Sequence, residues 1–305
     1  MNFNVENFKS LHNCEPTFSV KGVSQSSNLK AESIAFSLEI DSRLIDSLCA
    51  IQSVIIFIPK GSNLPDECHT GNLLIEAVNP RYDYIKTTRA VFDITKTYSG
   101  VGGELAYVDP TAQIGCSVEL SPFCYVGPNC IVEDHCYLAP GARLIDSVHV
   151  GQGTRIGANT VVGGWGFGIE RNNGKEREVI SFGGEPIKMP HFGGVIIGPN
   201  CDIGALTTIC AGAIEPTVLE SSVMVDDHVH IAHNCKIGKG AAIVACAEIS
   251  GSVVIGDEAW IAPNVSTMQK ISIGQRCIIG IGSVVLESTP ANSVFVGNPA
   301  KQINK

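Results

Sequence analysis

The chain has little aromatic surface, few cations and no long apolar run. Phenylalanine, tryptophan and tyrosine make up 6% of its 305 residues, too few for a layered core that draws its buried area from large rings. Small residues, 32 glycines among them, must fill much of the interior. Lysine and arginine number 21 against 30 aspartates and glutamates, a net charge of −9. That balance excludes a general nucleic-acid or anionic-membrane surface, because neither polyanion would gain counterion release or attraction. No stretch approaches the roughly eighteen consecutive apolar residues of a membrane helix. The start, "MNFNVENFKS", lacks the basic and apolar regions of a signal peptide, so a cytoplasmic location is expected. Twelve cysteines are present, but no Cys-x-x-Cys pair points to zinc or redox chemistry, and disulfides rarely persist in a reducing compartment.

What the chain does have is a period of six. Stepping from Val108 lands on Ile114, Leu120, Val126, Val132, Leu138, Leu144, Val150, Ile156 and Val162, all aliphatic. The register returns at Ile197, Ile203 and Ile209, slips by four, and runs from Leu219 through Ile231 and Ile249 to Ile261. After Thr267 breaks the pattern, Ile273, Ile279 and Val285 resume it. Four residues after each aliphatic comes a second, mostly small column that includes Cys124, Cys130, Cys136, Cys201, Cys235 and Cys277. This reads most of the cysteines as compact apolar fillers. Glycine often follows the aliphatic, as at Gly151, Gly204 and Gly238, where it is expected to supply left-handed or tight backbone at a corner. One large and one small inward residue per hexad is the signature of a parallel β-helix, three hexads closing one triangular coil. The prism takes in residues 101–290, interrupted by a loop, and makes eight or nine coils.

The loop, residues 163–194, is rich in glycine and carries Trp165, Phe167 and Phe182. An irregular aromatic segment leaving a regular scaffold is often functional. Residues 1–100 show no hexads. There "SVIIFIP" reads as a buried strand, and "DSRLIDSLCA" and "NPRYDYIKTTRAVF" read as capped helices, giving a small N-terminal α/β head. Residues 291–305 form a short tail. The expected fold class is mainly β.

Within "DDHVHIAHNCKIG", Ile231 falls in the inward column, so His228, His230 and His233 take outward or corner positions. A neutral histidine held by a partner at one nitrogen suits a general base near pH 7. A zinc site would need three protein ligands and an open position, with His228, His233 and either His230 or His191 as candidates. Neighbouring strand residues face opposite ways, which works against convergence.

The order of "GWGFG", "FGGVIIGPNCDIGALTTI", the register slip and "DDHVHIAHNCKIGKGAAIVACAEISGSVVIG" resembles the N-acyltransferases of lipid A synthesis that act on a UDP-linked acylglucosamine. The resemblance implies a left-handed coil, a homotrimer with sites between chains, and transfer of an acyl group from a thioester to the amine of a nucleotide-linked sugar. It implies His233 as general base and the Gly251 N–H as oxyanion donor, and no permanently bound cofactor or metal. Asn234, Phe36, Trp165, Phe167 and His191 are the candidate substrate contacts, and Lys270 and Arg276 the candidate donor contacts.

The chain also departs from the family. Glu39 and Ser42 stand where the family carries an amide and a second ring around the uracil, and Lys270 falls near its second active-site histidine. The ending "VFVGNPAKQINK" looks like that of coenzyme-A-dependent sugar acetyltransferases, and its basic residues, Lys301 and Lys305 included, suit the phosphates of coenzyme A or an acidic carrier protein. The first expectation is therefore an N-acyltransferase using acyl-CoA. The alternatives are the lipid A enzyme with acyl carrier protein, a zinc hydrolyase resembling γ-class carbonic anhydrases, and a non-catalytic scaffold.

Overall fold

The computed structural model describes residues 3–92, 105–171 and 185–304. The chain divides into two compact units, Met1–Thr97 and Tyr98–Lys305.

The first unit carries four parallel strands in sequential order: β1 (Gly22–Val23), β2 (Ser33–Phe36), β3 (Val54–Pro59) and β4 (Leu73–Ala77). Residues 54–58 of β3 are all buried, as a continuous apolar run without alternation requires when both faces of a parallel sheet are covered. The helices are α1 (Val5–His12), α2 (Ser42–Ala50), α3 (Asp66–His69) and α4 (Pro80–Val91). Helix α2 is capped by Asp41, whose Oδ1 accepts the Leu44 N–H at 2.8 Å, and α4 by Asn79 with Pro80 in its first turn. These are the two helices legible in the sequence.

The second unit is a parallel β-helix of hexapeptide repeats, consistent with a left-handed coil. Its three faces hold nine strands from Tyr107–Val108 to Val284–Val285, eight from Gln113–Ile114 to Ser272–Ile273, and ten from Glu119–Leu120 to Lys301–Ile303. The last of these returns antiparallel on Val294–Val296. Residues eighteen apart sit side by side on adjacent coils, as with His230 and Glu248 or Ile231 and Ile249. The two inward columns are thus continuous ladders, and Val132, Leu144, Ile209, Ile231 and Ile249 are at most 1% exposed. Thr267, the break in the pattern, still points inward, and its Oγ1 accepts the Ser250 N–H.

The inner cysteines are free thiols buried in these ladders. Burial pushes up the pKa values of Cys124, Cys130, Cys136 and Cys201, and that of Cys235 to about 12, which leaves these five protonated fillers. The glycines that follow the aliphatics need a different account from the one the sequence suggests. Left-handed backbone is supplied two residues after the glycine, at Asn129, Asn159 and Asn200 among others. The glycine is required because a Cβ would strike the next coil: at Gly151 it would fall 2.6 Å from the Pro199 nitrogen.

The interruption is shorter in structure than in sequence. Val161–Trp165 remains a strand of the rod, with Trp165 paired to Ala211, before the chain leaves. Outside the rod, Ile169–Arg171 pairs antiparallel with Pro186–Lys188. Phe182 and Lys305 lie outside the described residues. Among the described residues no helix is long and apolar enough to cross a membrane.

Candidate active site

His233 occupies a corner of the rod, immediately before Asn234, whose φ of 60° lies in the left-handed region that asparagine tolerates. The Asn234 amide is fixed at both ends. Its Nδ2 donates to the Glu215 carbonyl at 2.8 Å, and its Oδ1 accepts the Ala213 N–H at 3.1 Å. The Asn234 backbone N–H donates to the buried Thr217 Oγ1 at 2.8 Å. Both Ala213 and Glu215 belong to the segment where the hexad register slips, so the slip creates the socket that locks this side chain.

The locked Oδ1 stands 3.0 Å from His233 Nδ1. An amide oxygen only accepts, so Nδ1 carries the proton and donates, and Nε2 keeps its lone pair. That nitrogen faces Gly251 on the next coil. A Cβ at Gly251 would fall 2.7 Å from Nε2 and 2.8 Å from Cε1, so only glycine leaves the lone pair open.

Among the described residues the Gly251 backbone N–H is open, as are those of Ala158, Ser221 and Gln275 at corresponding positions, whereas some other corners are closed. There the N–H groups of Cys116, Ala205 and Lys239 are taken by the carboxylates of Asp134, Asp227 and Asp257 from the following coil. Gln269 stands in that place for Gly251, and among the described residues the Gly251 N–H has no hydrogen-bond partner. An unpaired donor beside an open imidazole lone pair is an arrangement suited to receiving a developing oxyanion.

A second imidazole abuts the first. His191 is 5% exposed, with its ring edge-on to His233 at 5.4 Å between centroids. Its Nδ1 donates to the Met189 carbonyl at 2.9 Å. Burial is the main cause holding its pKa below the ordinary value; the Met189 bond opposes this, and His233 and Lys188 add to it. His191 is therefore neutral and wedged in place, not an open side chain. Gly166 is the glycine of "GWGFG" that this packing requires: a Cβ there would lie 2.9 Å from His191 Nε2 and 3.2 Å from His233 Cδ2.

The other candidates are dispersed. Trp165 and Phe167 flank Gly166 but are exposed. His228 is exposed at a left-handed corner, and His230 is half-buried on an outer face between Thr208 and Glu248. Among the described residues no group of three or more His, Cys, Asp and Glu side chains is placed to hold a metal ion. Lys270 is exposed one coil beyond Gly251, its N–H bonded to the Gly251 carbonyl at 3.0 Å. Arg276 is exposed, and its Nε donates to Asn292 Oδ1 at 2.8 Å.

In the first unit, Phe36 at the end of β2 packs its ring 4.9 Å from that of Tyr84 on α4. Both line a cavity of about 690 Å³, together with Gln25, Asn28, Lys30 and Leu38. Tyr84 brings a second ring to this cavity. It escaped sequence reasoning because α4 carries it more than forty residues downstream of Phe36.

Comparison with known proteins agrees with this architecture. Residues 111–146 and 216–251 match the family described as bacterial transferase hexapeptide (six repeats). A UDP-3-O-acylglucosamine N-acyltransferase of Herminiimonas arsenicoxydans is 34% identical over 137 residues, 45% of this chain and 36% of that protein. One from Xanthomonas euvesicatoria pv. vesicatoria is 48% identical over 86 residues, 28% of this chain and 23% of that protein. The chain thus spans well under half the length of these relatives. Among solved structures, a UDP-N-acetylglucosamine acyltransferase from Bacteroides fragilis superposes with a TM-score of 0.56 at 25% identity, over 65% of this chain and 72% of that one. One from Acinetobacter baumannii gives 0.58 at 23% identity over the same shares, a likeness of fold alone.

The rod defines a β-helix protein of hexapeptide repeats, two stretches of which match the bacterial transferase hexapeptide model. Within that class, the chain resembles the UDP-3-O-acylglucosamine N-acyltransferases.

Proposed function

We propose that the protein is an N-acyltransferase that moves an acyl group from a thioester to the amine of a UDP-linked glucosamine derivative, with His233 as general base. The observation that carries this reading is the Asn234 lock, which leaves the His233 Nε2 lone pair free and aimed at the glycine corner of the next coil. A thioester is already activated, so three tasks remain: orient the amine, take its proton during attack, and hold the oxyanion. His233 Nε2 accepts the amine proton, and the Gly251 N–H donates to the carbonyl oxygen as the tetrahedral intermediate forms. Collapse expels the thiolate, which takes the proton back from the imidazolium. His191 acts as a positioning residue that packs the ring of the base.

The similarity to UDP-3-O-acylglucosamine N-acyltransferases favours a hydroxyacyl chain delivered by acyl carrier protein over the acyl-CoA donor expected first. Lys270 and Arg276 would serve either donor by pairing with phosphate or carboxylate. In the first unit, the cavity between Phe36 and Tyr84 has the rings and amides to take a flat nucleobase. We assign the working form to a homotrimer in the cytoplasm. The test is a matrix of acetyl-CoA, longer acyl-CoA and hydroxyacyl carrier protein against UDP- and dTDP-linked amino sugars, read by mass spectrometry. Amide formation with a UDP-glucosamine derivative supports the reading. No acylated product with any pair removes it in favour of a scaffold.

A further inference from the structure

Two cysteines outside the hexad ladders lie together in the first unit. Cys49, near the end of α2, is exposed, and Cys68, in α3, is fully buried. Their sulfurs are 3.1 Å apart. The approach is held in place from behind. The Asn72 side chain donates to the carbonyls of Leu48 (3.0 Å), Ile51 (2.9 Å) and Cys68 (3.2 Å), while its Oδ1 accepts the Val54 N–H. One amide thereby ties the end of α2, the end of α3 and the start of β3 together, with the two thiols at the seam.

We propose that Cys49 and Cys68 form a reversible redox site that reacts with peroxides, the exposed thiol being the point of attack and the buried one its resolving partner. The Cys49 thiolate attacks one peroxide oxygen, the O–O bond breaks, and the product is a sulfenic acid plus water or alcohol. Cys68 then attacks that sulfur, an S–S bond forms and the S–O bond breaks, and a second water leaves. The two thiols give up two electrons and the peroxide takes them. A dithiol reductant reverses the change by thiol–disulfide exchange.

The division of labour follows from the surroundings. Burial, with the neighbouring Cys49 adding to it, raises the Cys68 pKa to about 11. Cys68 thus stays a thiol until its neighbour is oxidised, and closure speeds up as pH rises. The exposed Cys116 and Cys246 are internal controls, since neither has a thiol partner among the described residues.

The test uses the full chain, treated with stoichiometric hydrogen peroxide and mapped by proteolysis and mass spectrometry. The expected product is a peptide pair joined through Cys49 and Cys68, about 2 Da lighter than the two thiols and released by dithiothreitol. In Cys68→Ser, Cys49 is instead trapped as sulfenic acid by a dimedone-type reagent and proceeds to sulfinic acid; in Cys49→Ser no link forms. The proposal is overturned if wild-type Cys49 is over-oxidised as fast as Cys116 and Cys246 while Cys68 remains a free thiol, or if Cys49 links only between molecules.

Discussion

His233 and Gly251 are eighteen residues apart in the chain and one coil apart in the rod, close enough that a methyl group on Gly251 would fall 2.7 Å from the His233 Nε2. The glycine therefore keeps open the nitrogen that the Asn234 lock leaves unprotonated. Under the proposed chemistry, the base and the oxyanion donor are spaced by the rise of the rod itself.

Gly251→Ala is expected to block Nε2 and push the ring out of line while the rod stays folded. Turnover should fall by about a hundredfold or more, the scale of a misplaced reactive group, with little change in thermal midpoint. Steady-state kinetics beside a melting curve checks this. Unchanged kcat would mean that the two residues do not share a reaction centre.

Asn234→Ala removes the acceptor that fixes the histidine tautomer and leaves the Glu215 carbonyl and Ala213 N–H without their partner. Glu215 is exposed and Ala213 half-buried, so water can replace part of what is lost; the cost to stability is expected to be about 0.5–1.5 kcal/mol per hydrogen bond removed, and kcat should drop more than KM rises. Nitrogen chemical shifts of labelled histidine report the tautomer directly. In the wild type Nδ1 should be protonated, and in the variant the two tautomers should mix.

The first unit should lose stability in mild acid through His12. Its ring lies between Phe8 and Phe57, and Nε2 is 2.7 Å from the Thr87 hydroxyl. Burial is the main cause lowering its pKa, with Asp83 opposing and Lys86 adding. Near the ordinary value of about 6.5, the folded state thus binds fewer protons than the unfolded one. The contribution is complete above that value and is lost as pH falls through the folded pKa. Thermal midpoints measured from pH 7.5 to 5 should decline more steeply in the wild type than in His12→Gln. Equal slopes would contradict this assignment.

The rod was legible because its buried positions recur with a fixed period, and one strong pattern overrides local ambiguity. Its corners were less so. Glycine after the aliphatic looked like a conformational requirement and is instead a steric one, imposed by the coil above, as at Gly151. The slip after Ile209 was visible, but not that Ala213 and Glu215 form the socket for Asn234, since that contact runs from a loop to the next coil. His191 stood out on an irregular segment as a candidate substrate contact. Its burial against His233 depends on how the chain re-enters the rod, which no local pattern encodes. Tyr84 was missed because helix packing over a long separation brings it to Phe36.

The most direct test of the central claim is the single-turnover rate of amide formation in His233→Ala and His233→Gln, with a UDP-glucosamine derivative and the best donor from the matrix. The rate should fall by about a hundred- to ten-thousandfold in both variants, with acceptor binding and melting temperature close to wild type. A variant that acylates the amine at the wild-type rate would show that His233 does not take the proton, and the proposed mechanism would be wrong.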